Sequence, residues 1–145
     1  MPDRGDDGRR RAGTGPGRLL VAVYAVFAIA ATGRASLQII EYFDRARLAY
    51  LLSALAALIY IVATVALARG DLTSVRVATW SCSIELAGVL TVGVASYVDR
   101  AAFPDQTVWS HFGSGYGYVP LVLPVLGLWW LRTVRRAQRL QPAPQ

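Results

Sequence analysis

The feature that most constrains this chain is an uncharged apolar run over residues 48–68, bounded by Arg47 and Arg69. At 1.5 Å per residue, a helix of this length is about 30 Å long, which matches the hydrocarbon core of a bilayer. A soluble domain is about 25% charged, whereas this chain is 17% charged, and its charges crowd into both ends and a few short connectors. The pattern predicts an integral membrane protein rather than a soluble, disordered or disulfide-rich one.

Three further apolar stretches predict spans at about 19–40, 77–98 and 118–131. The fold class expected is therefore all-α, a four-helix transmembrane bundle with up-down-up-down connections. The first span has to continue through Arg34, because the apolar run before it covers only about 22 Å. A secretory signal peptide is the alternative interpretation of that stretch, and its cleavage would remove one span without inverting the others.

The rest of the chain divides around this membrane domain of residues 18–132. Residues 1–17 predict a disordered tail and residues 133–145 a basic tail, because neither has enough apolar surface to form a core. The longest connector, 99–117, carries several aromatic residues, which favour the headgroup level. We therefore expect it to lie against the membrane surface, with a short interfacial helix over 104–112. Pro120 and Pro124 favour a kink in the last span or a start deeper within that loop.

The distribution of basic residues predicts the orientation. All 15 basic residues are arginines. Four of them, Arg34, Arg45, Arg47 and Arg100, fall on one side of the predicted bundle, and the other eleven fall on the side of the two termini. The positive-inside rule then predicts a multi-pass protein of the bacterial inner (plasma) membrane with both termini in the cytoplasm. Membrane topology also explains the net charge of +6, so no nucleic-acid partner is expected.

Glu85 is the main candidate for an intramembrane polar site. It lies about 13 Å beyond Arg76 along the third span, near the middle of the bilayer. An ionised carboxylate there costs about 2.5–3.5 kcal/mol, so it must face protein, find a partner or stay protonated. Ser81, Glu85 and Gly88 share one helical stripe. This carboxyl group is expected to bind a proton or cation, to anchor a ligand headgroup, or to form a buried hydrogen bond that fixes helix order.

Arg34, Gln38 and Tyr60 complete the candidate intramembrane site. Arg34 and Gln38 share a face of the first span with Glu41, and Arg34 is a candidate partner of Glu85. Because Arg34 is predicted about 10 Å away from Glu85 in depth, snorkelling to the surface or pairing with Glu41 or Asp44 is the alternative. Tyr60 lies on the small-residue face of the second span, from which it could reach Glu85.

The loop candidates are His111, Asp105 and Trp109, and none of them predicts a metal or cofactor site. His111 is the only histidine, so bis-histidine haem ligation is excluded, and loop aspartates alone make a weak metal site. A solvated histidine at the interface is the expectation. Cys82 is the only cysteine, which excludes an internal disulfide and a cysteine-based zinc site.

Four stretches, TGRASLQII, FDRARLAYLLSALAALIYIVATVALAR, SIELAGVLTVG and FPDQTVW…GYVPLVLPVLGLWWLR, carry a resemblance to a group of small, uncharacterised integral membrane proteins of actinobacteria. Together they cover most of residues 32–132. The resemblance implies four spans and brings no activity or catalytic residue with it. Small multidrug exporters also have four short helices and a membrane glutamate, but theirs lies in the first helix, whereas Glu85 lies in the third span.

These observations favour a non-enzymatic protein that acts through helix contacts, as an accessory or assembly subunit or as a homo-oligomer. Small-residue faces and one buried carboxyl group motivate this interpretation, since the loops are too short for a catalytic domain. The alternative is a small transporter or channel in which Glu85 is a proton- or cation-coupled site. A third hypothesis is a lipid-binding protein that uses the aromatic loop and Arg34.

Overall fold

The computed structural model describes residues 15–141, and its secondary structure over that range is entirely helical. The four helices are α1 (Pro16–Tyr42), α2 (Arg47–Arg69), α3 (Leu72–Val98) and α4 (Val119–Arg139), with a run of 3-10 turns at Ser110–Tyr116 before α4. Most of the tail predicted at 1–17 lies outside the described residues, although Pro16 and Gly17 belong to α1. Much of the tail predicted at 133–145 continues α4, and residues 142–145 are not described.

The helices α1, α2 and α3 are long and apolar enough to cross a membrane. The 3-10 turns and α4 form a fourth, broken unit with a bend of 98°. The predicted second span agrees with α2 to within one residue at each end, whereas α3 begins five residues before the predicted third span. The fold is thus an assembly of three continuous apolar helices and one interrupted one.

The turn between α2 and α3 is short because one residue caps the end of α2 and the next caps the beginning of α3. Gly70 ends α2 in the left-handed region, with φ 68°, and its N–H donates to the Ala66 carbonyl. Asp71 begins α3 by accepting hydrogen bonds from the Ser74 N–H, at 3.3 Å, and from the Ser74 hydroxyl, at 2.5 Å. Only two residues therefore separate the helices, in place of the longer turn predicted at 69–76.

The interior contains many small residues beside a few aromatic rings, and many large aliphatic side chains lie on the outside. The predicted small face of α2 is buried throughout: Ala49, Ser53, Ala56, Tyr60 and Ala63. Ile29, Leu58 and Trp80, by contrast, are 75%, 57% and 71% exposed. Exposed apolar surface on this scale is unfavourable in water and favourable in hydrocarbon. The packing therefore agrees with the membrane environment that hydropathy predicts.

The helix α4 begins deep within the bundle. Gly127 of α4 lies beside Cys82 of α3, where an added Cβ would stand 2.9 Å from Sγ. From that shared level α3 continues about 24 Å to Val98, whereas α4 begins only about 12 Å above it, at Val119. Residues 99–118, which we call the inserted loop, fill the space left at this end of the bundle. The helix begins at Val119, one residue from the predicted start, and Pro120 and Pro124 lie within it.

Candidate functional site

All four helices and the inserted loop meet around Glu85. The Glu85 side chain is fully buried, and its Oε2 accepts a hydrogen bond of 2.9 Å from the Tyr24 hydroxyl of α1. The same hydroxyl lies 3.3 Å from Cys82 Sγ, one turn before Glu85 on α3. Gly127 supplies the α4 wall, because a Cβ there would stand 3.4 Å from the Tyr24 hydroxyl. We call Tyr24, Tyr60, Cys82, Glu85 and Trp109 the core cluster.

Three polar atoms of the core cluster have no hydrogen-bond partner among residues 15–141. They are Oε1 of Glu85, the hydroxyl of Tyr60 and Nε1 of Trp109. The Tyr60 hydroxyl lies next to both the Glu85 carboxyl and the Trp109 indole without forming a hydrogen bond to either. Unpaired buried polar groups are costly and are few in folded proteins. An acceptor and two donors on neighbouring buried side chains are therefore left unpaired around Glu85.

The inserted loop places Trp109 in this cluster because α3 has no side chain at two positions. An added Cβ at Gly88 would stand 2.8 Å from the Trp109 ring, and one at Gly93 would stand 2.4 Å from the Phe112 ring. Trp109 is consequently 2% exposed and lies one helical turn above Glu85. The expectation that this loop lies on the membrane surface is wrong for its central part, since the glycines admit its aromatic rings into the bundle.

The loop also differs from the predicted interfacial helix over 104–112. Residues 104–109 form bends and turns, and the 3-10 segment begins only at Ser110. His111 and Phe112 both have positive φ, at 52° and 59°, which interrupts any regular helix. A network of side-chain bonds between Thr107 and Ser110 holds this compact turn in place.

Arg34 fastens the inserted loop to α1. Its guanidinium donates to the Tyr116 hydroxyl at 2.6 Å and to the Gln106 carbonyl at 2.8 Å. The Tyr116 ring stands 6.0 Å from the Phe27 ring, and Phe27 stands 5.7 Å from Tyr60. Arg34 is thus connected to the core cluster through a continuous row of aromatic rings. It does not meet Glu85, and it pairs with neither Glu41 nor Asp44, because the loop carbonyl and hydroxyl satisfy its donors.

Asp105 provides a second attachment between the loop and the helices. It accepts a hydrogen bond from the Tyr50 hydroxyl of α2 and forms an ion pair of 3.4 Å with Arg45. Arg34 and Asp105 together hold the loop to both α1 and α2. The sequence makes both residues candidates. Their shared role in holding the loop depends on contacts between the loop and distant helices.

The remaining predicted site residues lie apart from the core cluster. Ser81 is buried on the same stripe as Glu85, but its hydroxyl donates to the Val77 carbonyl. Gln38 has a buried Oε1 without a partner among the described residues. His111 is half-buried rather than fully solvated. Its ring stands edge-on to the Tyr97 ring at 4.7 Å, and its backbone N–H donates to the Ser96 hydroxyl oxygen.

Sequence reasoning missed Tyr24, whose hydroxyl donates directly to Glu85. A signal for it exists, since Tyr24, Ala28, Ala31 and Ala35 recur at helical spacing and are all buried. Residues 15–141 include no group of three His, Cys, Asp or Glu side chains that could hold a metal ion. Comparisons of the chain with protein-family models, curated proteins and solved structures found no match.

Proposed function

We propose that this chain is a multi-pass protein of a bacterial plasma membrane with both termini in the cytoplasm. The apolar helices support a membrane location, and the resemblance to small actinobacterial membrane proteins supports a bacterial one. Arg18, Arg69, Arg76 and Arg139 stand near the helix ends that share one side, at which arginines are concentrated. The positive-inside rule assigns that side to the cytoplasm and the inserted loop to the outer half of the membrane.

Within that membrane, we propose that the protein is a small transporter or channel in which Glu85 binds and releases a proton. The observation that carries this proposal is a fully buried carboxyl group whose Oε1 has no hydrogen-bond partner among the described residues, with the unpaired Tyr60 hydroxyl beside it. No arginine among residues 15–141 forms an ion pair with Glu85. A carboxyl group without a cationic partner in a low-dielectric core is most stable as the neutral acid, so changes in its access to water change its proton occupancy.

The inserted loop is the gate in this proposal. Its Trp109 ring covers Glu85 from the outer side, and Arg34 and Asp105 hold the loop in place. Irregular backbone at membrane depth is tolerated where it is buried in protein or lines a cavity, and such segments recur beside transport sites. Movement of the loop would connect Glu85 to the outer solution without rearranging the three continuous helices.

The assembly-subunit hypothesis remains the second candidate. It now rests on an apolar groove rather than on the small-residue faces that first motivated it. Residues of the same chain already cover the small-residue faces. The α2 face is buried, and aromatic rings of the inserted loop pack against Gly88 and Gly93. However, α1 and α4 leave between them an apolar groove of about 510 Å³, bordered among others by Leu19, Val23, Val122 and Trp129. A helix of a partner or of a second copy fits such a groove. Purification in mild detergent as monomers, without a co-purifying partner, would exclude this candidate.

The transport proposal is tested with full-length protein in liposomes that contain a trapped pH indicator. Under an imposed pH gradient, we expect wild-type protein to accelerate proton movement and Glu85→Gln to return it to the rate of empty liposomes. Glu41→Gln is the matched control, because Glu41 is the other glutamate and is exposed. Equal rates for wild type and Glu85→Gln would contradict the proposal.

A structural role for Glu85 gives a different pattern in the same series. Glutamine keeps the shape and an acceptor for Tyr24, so Glu85→Gln would then fold and behave as wild type does. Glu85→Leu removes the acceptor and leaves the Tyr24 hydroxyl unpaired, which costs about 1–3 kcal/mol and impairs assembly. Normal folding with lost proton movement in Glu85→Gln therefore separates transport from structure.

A further inference from the structure

A pocket lined by arginines lies at the opposite end of the bundle from the inserted loop. It has a volume of about 270 Å³ and lies between the beginning of α3 and the end of α4. Its lining residues are Leu72, Val75, Arg76, Arg135, Gln138 and Arg139. Three arginines from two different helices therefore line one cavity of mixed polar and apolar character.

These arginines have no acidic partner among the described residues. Neither of the ion pairs found within residues 15–141 involves Arg76, Arg135 or Arg139. The nearest acid in sequence on α3, Asp71, is occupied in bonding to Ser74 at the helix start. Within residues 15–141 no acidic side chain therefore forms an ion pair with these three arginines, and a guanidinium presents a planar fork of donors that matches phosphate geometry.

The depth of the pocket points to a membrane lipid. Arg76 directly precedes the apolar stretch 77–98, and Arg135 lies about 8 Å beyond Trp129 and Trp130 along α4. Tryptophans favour the headgroup level, so the pocket falls within the headgroup layer. Basic pockets between transmembrane helices on the cytoplasmic side are a recognised arrangement for anionic headgroups.

We propose that this pocket binds the phosphate headgroup of an anionic phospholipid and holds it between α3 and α4. The site is separate from the core cluster and does not depend on the proposed transport. A bound headgroup explains why arginines of two helices line one cavity. The positive-inside rule alone requires only that arginines are numerous on that side. Arg135, which is half-buried, and Arg139 border the headgroup from α4, and Arg76 borders it from α3.

The test uses full-length protein in nanodiscs of equal parts phosphatidylglycerol and phosphatidylcholine, followed by native mass spectrometry of the lipid retained. The matched variants are Arg135→Gln with Arg139→Gln, and Arg18→Gln with Arg69→Gln. Both pairs remove two charges from the same end of the bundle, but Arg18 and Arg69 are exposed and line neither of the two arginine pockets there. Diffuse attraction to anionic lipid weakens equally in both pairs, by about 30-fold.

We expect the pocket pair to retain phosphatidylglycerol at least about tenfold less than the control pair, because charge-assisted hydrogen bonds are lost in addition. Equal retention in the two pairs would overturn the proposal. Wild-type protein provides a second measurement that does not depend on a variant folding. It should retain phosphatidylglycerol at least about tenfold more than phosphatidylcholine. No preference would also overturn it.

A last arm separates a lipid from a free anion. Inorganic phosphate, added to the detergent-solubilised protein at millimolar concentration, is expected neither to displace retained phosphatidylglycerol nor to raise the melting temperature. Displacement, or stabilisation by inorganic phosphate alone, would show that the pocket is a soluble-anion site and would overturn its assignment to a lipid.

Discussion

The indole ring of Trp109 lies against the backbone of Gly88, so closely that an added Cβ would stand 2.8 Å from Cζ3 and 2.9 Å from Cη2. This contact joins a loop residue to the middle of a membrane-spanning helix, one turn from Glu85. It fixes the depth of the inserted loop and covers the core cluster. The inserted loop and Glu85 are therefore parts of one structural unit, and several consequences can be measured.

Gly88→Ala is expected to displace Trp109 and to destabilise the fold. Overpacking of this kind costs about 1–3 kcal/mol, because the ring is confined on all sides and has no room to retreat. Gly33→Ala is the matched control, since Gly33 is helical and a Cβ there meets nothing within 4 Å. Thermal unfolding in detergent should show a lower Tm for Gly88→Ala and an unchanged or higher Tm for Gly33→Ala. The same Tm for both variants would contradict the packing described.

Arg34→Gln is expected to loosen the inserted loop, because the Tyr116 hydroxyl and the Gln106 carbonyl lose a charged donor. Charged hydrogen bonds contribute about 1.5–3 kcal/mol, so opening of the loop should rise about tenfold or more. Deuterium labelling of the backbone amides of residues 99–118, read by mass spectrometry, measures this opening. Arg47→Gln is the control, because its bond to Asp44 is largely exposed and contributes about 0–1 kcal/mol. Equal labelling rates in both variants would show that Arg34 does not hold the loop.

Tyr24→Phe is expected to destabilise the bundle by about 1–3 kcal/mol, since it leaves Oε2 of Glu85 without its donor. The ring itself remains, so packing against Tyr60 is preserved. Tyr42→Phe is a suitable control, because Tyr42 is 52% exposed. Chemical unfolding of the two variants in the same detergent measures the difference. A Tyr24→Phe variant as stable as Tyr42→Phe would argue that the hydrogen bond to Glu85 contributes nothing to folding.

Asp71 is expected to make stability depend on pH at the α2–α3 turn. The hydroxyl of Ser74, and then its backbone N–H, hold the pKa of Asp71 below its ordinary value. A group with a lowered pKa in the folded state stabilises above its ordinary pKa of about 3.9, and that stabilisation is lost as pH falls through the folded-state pKa. Tm should therefore fall with acidification in the wild type and fall less in Asp71→Asn, which still caps the helix. Parallel pH profiles would exclude this contribution.

Sequence patterns were sufficient for the parts of the fold that depend on local hydropathy. The second span follows from an uncharged run bounded by arginines, and the burial of Tyr60 and Glu85 follows from their positions among small residues on one helical face. These features depend on helical periodicity and on the cost of polar groups in hydrocarbon. Both can be read from neighbouring residues of a single helix.

The inserted loop could not be predicted in the same way. Its aromatic residues have the composition of a surface-lying segment, and helical periodicity places Gly88 on an interior stripe without indicating what fills it. The position of Trp109 depends on a contact across the loop, and the partners of Arg34 are about 70–80 residues away in sequence. Distinguishing an aromatic belt from an inserted aromatic cap requires knowledge of how these distant segments pack.

Infrared difference spectroscopy of the carboxyl groups, recorded on reconstituted protein over a range of pH, tests the central claim most directly. The account predicts a protonated-acid band that is present in the wild type and in Glu41→Gln, absent in Glu85→Gln, and replaced by a carboxylate band as the pH rises. A band that persists without Glu85, or a Glu85 carboxyl that never changes its protonation while the protein stays folded, would contradict the account.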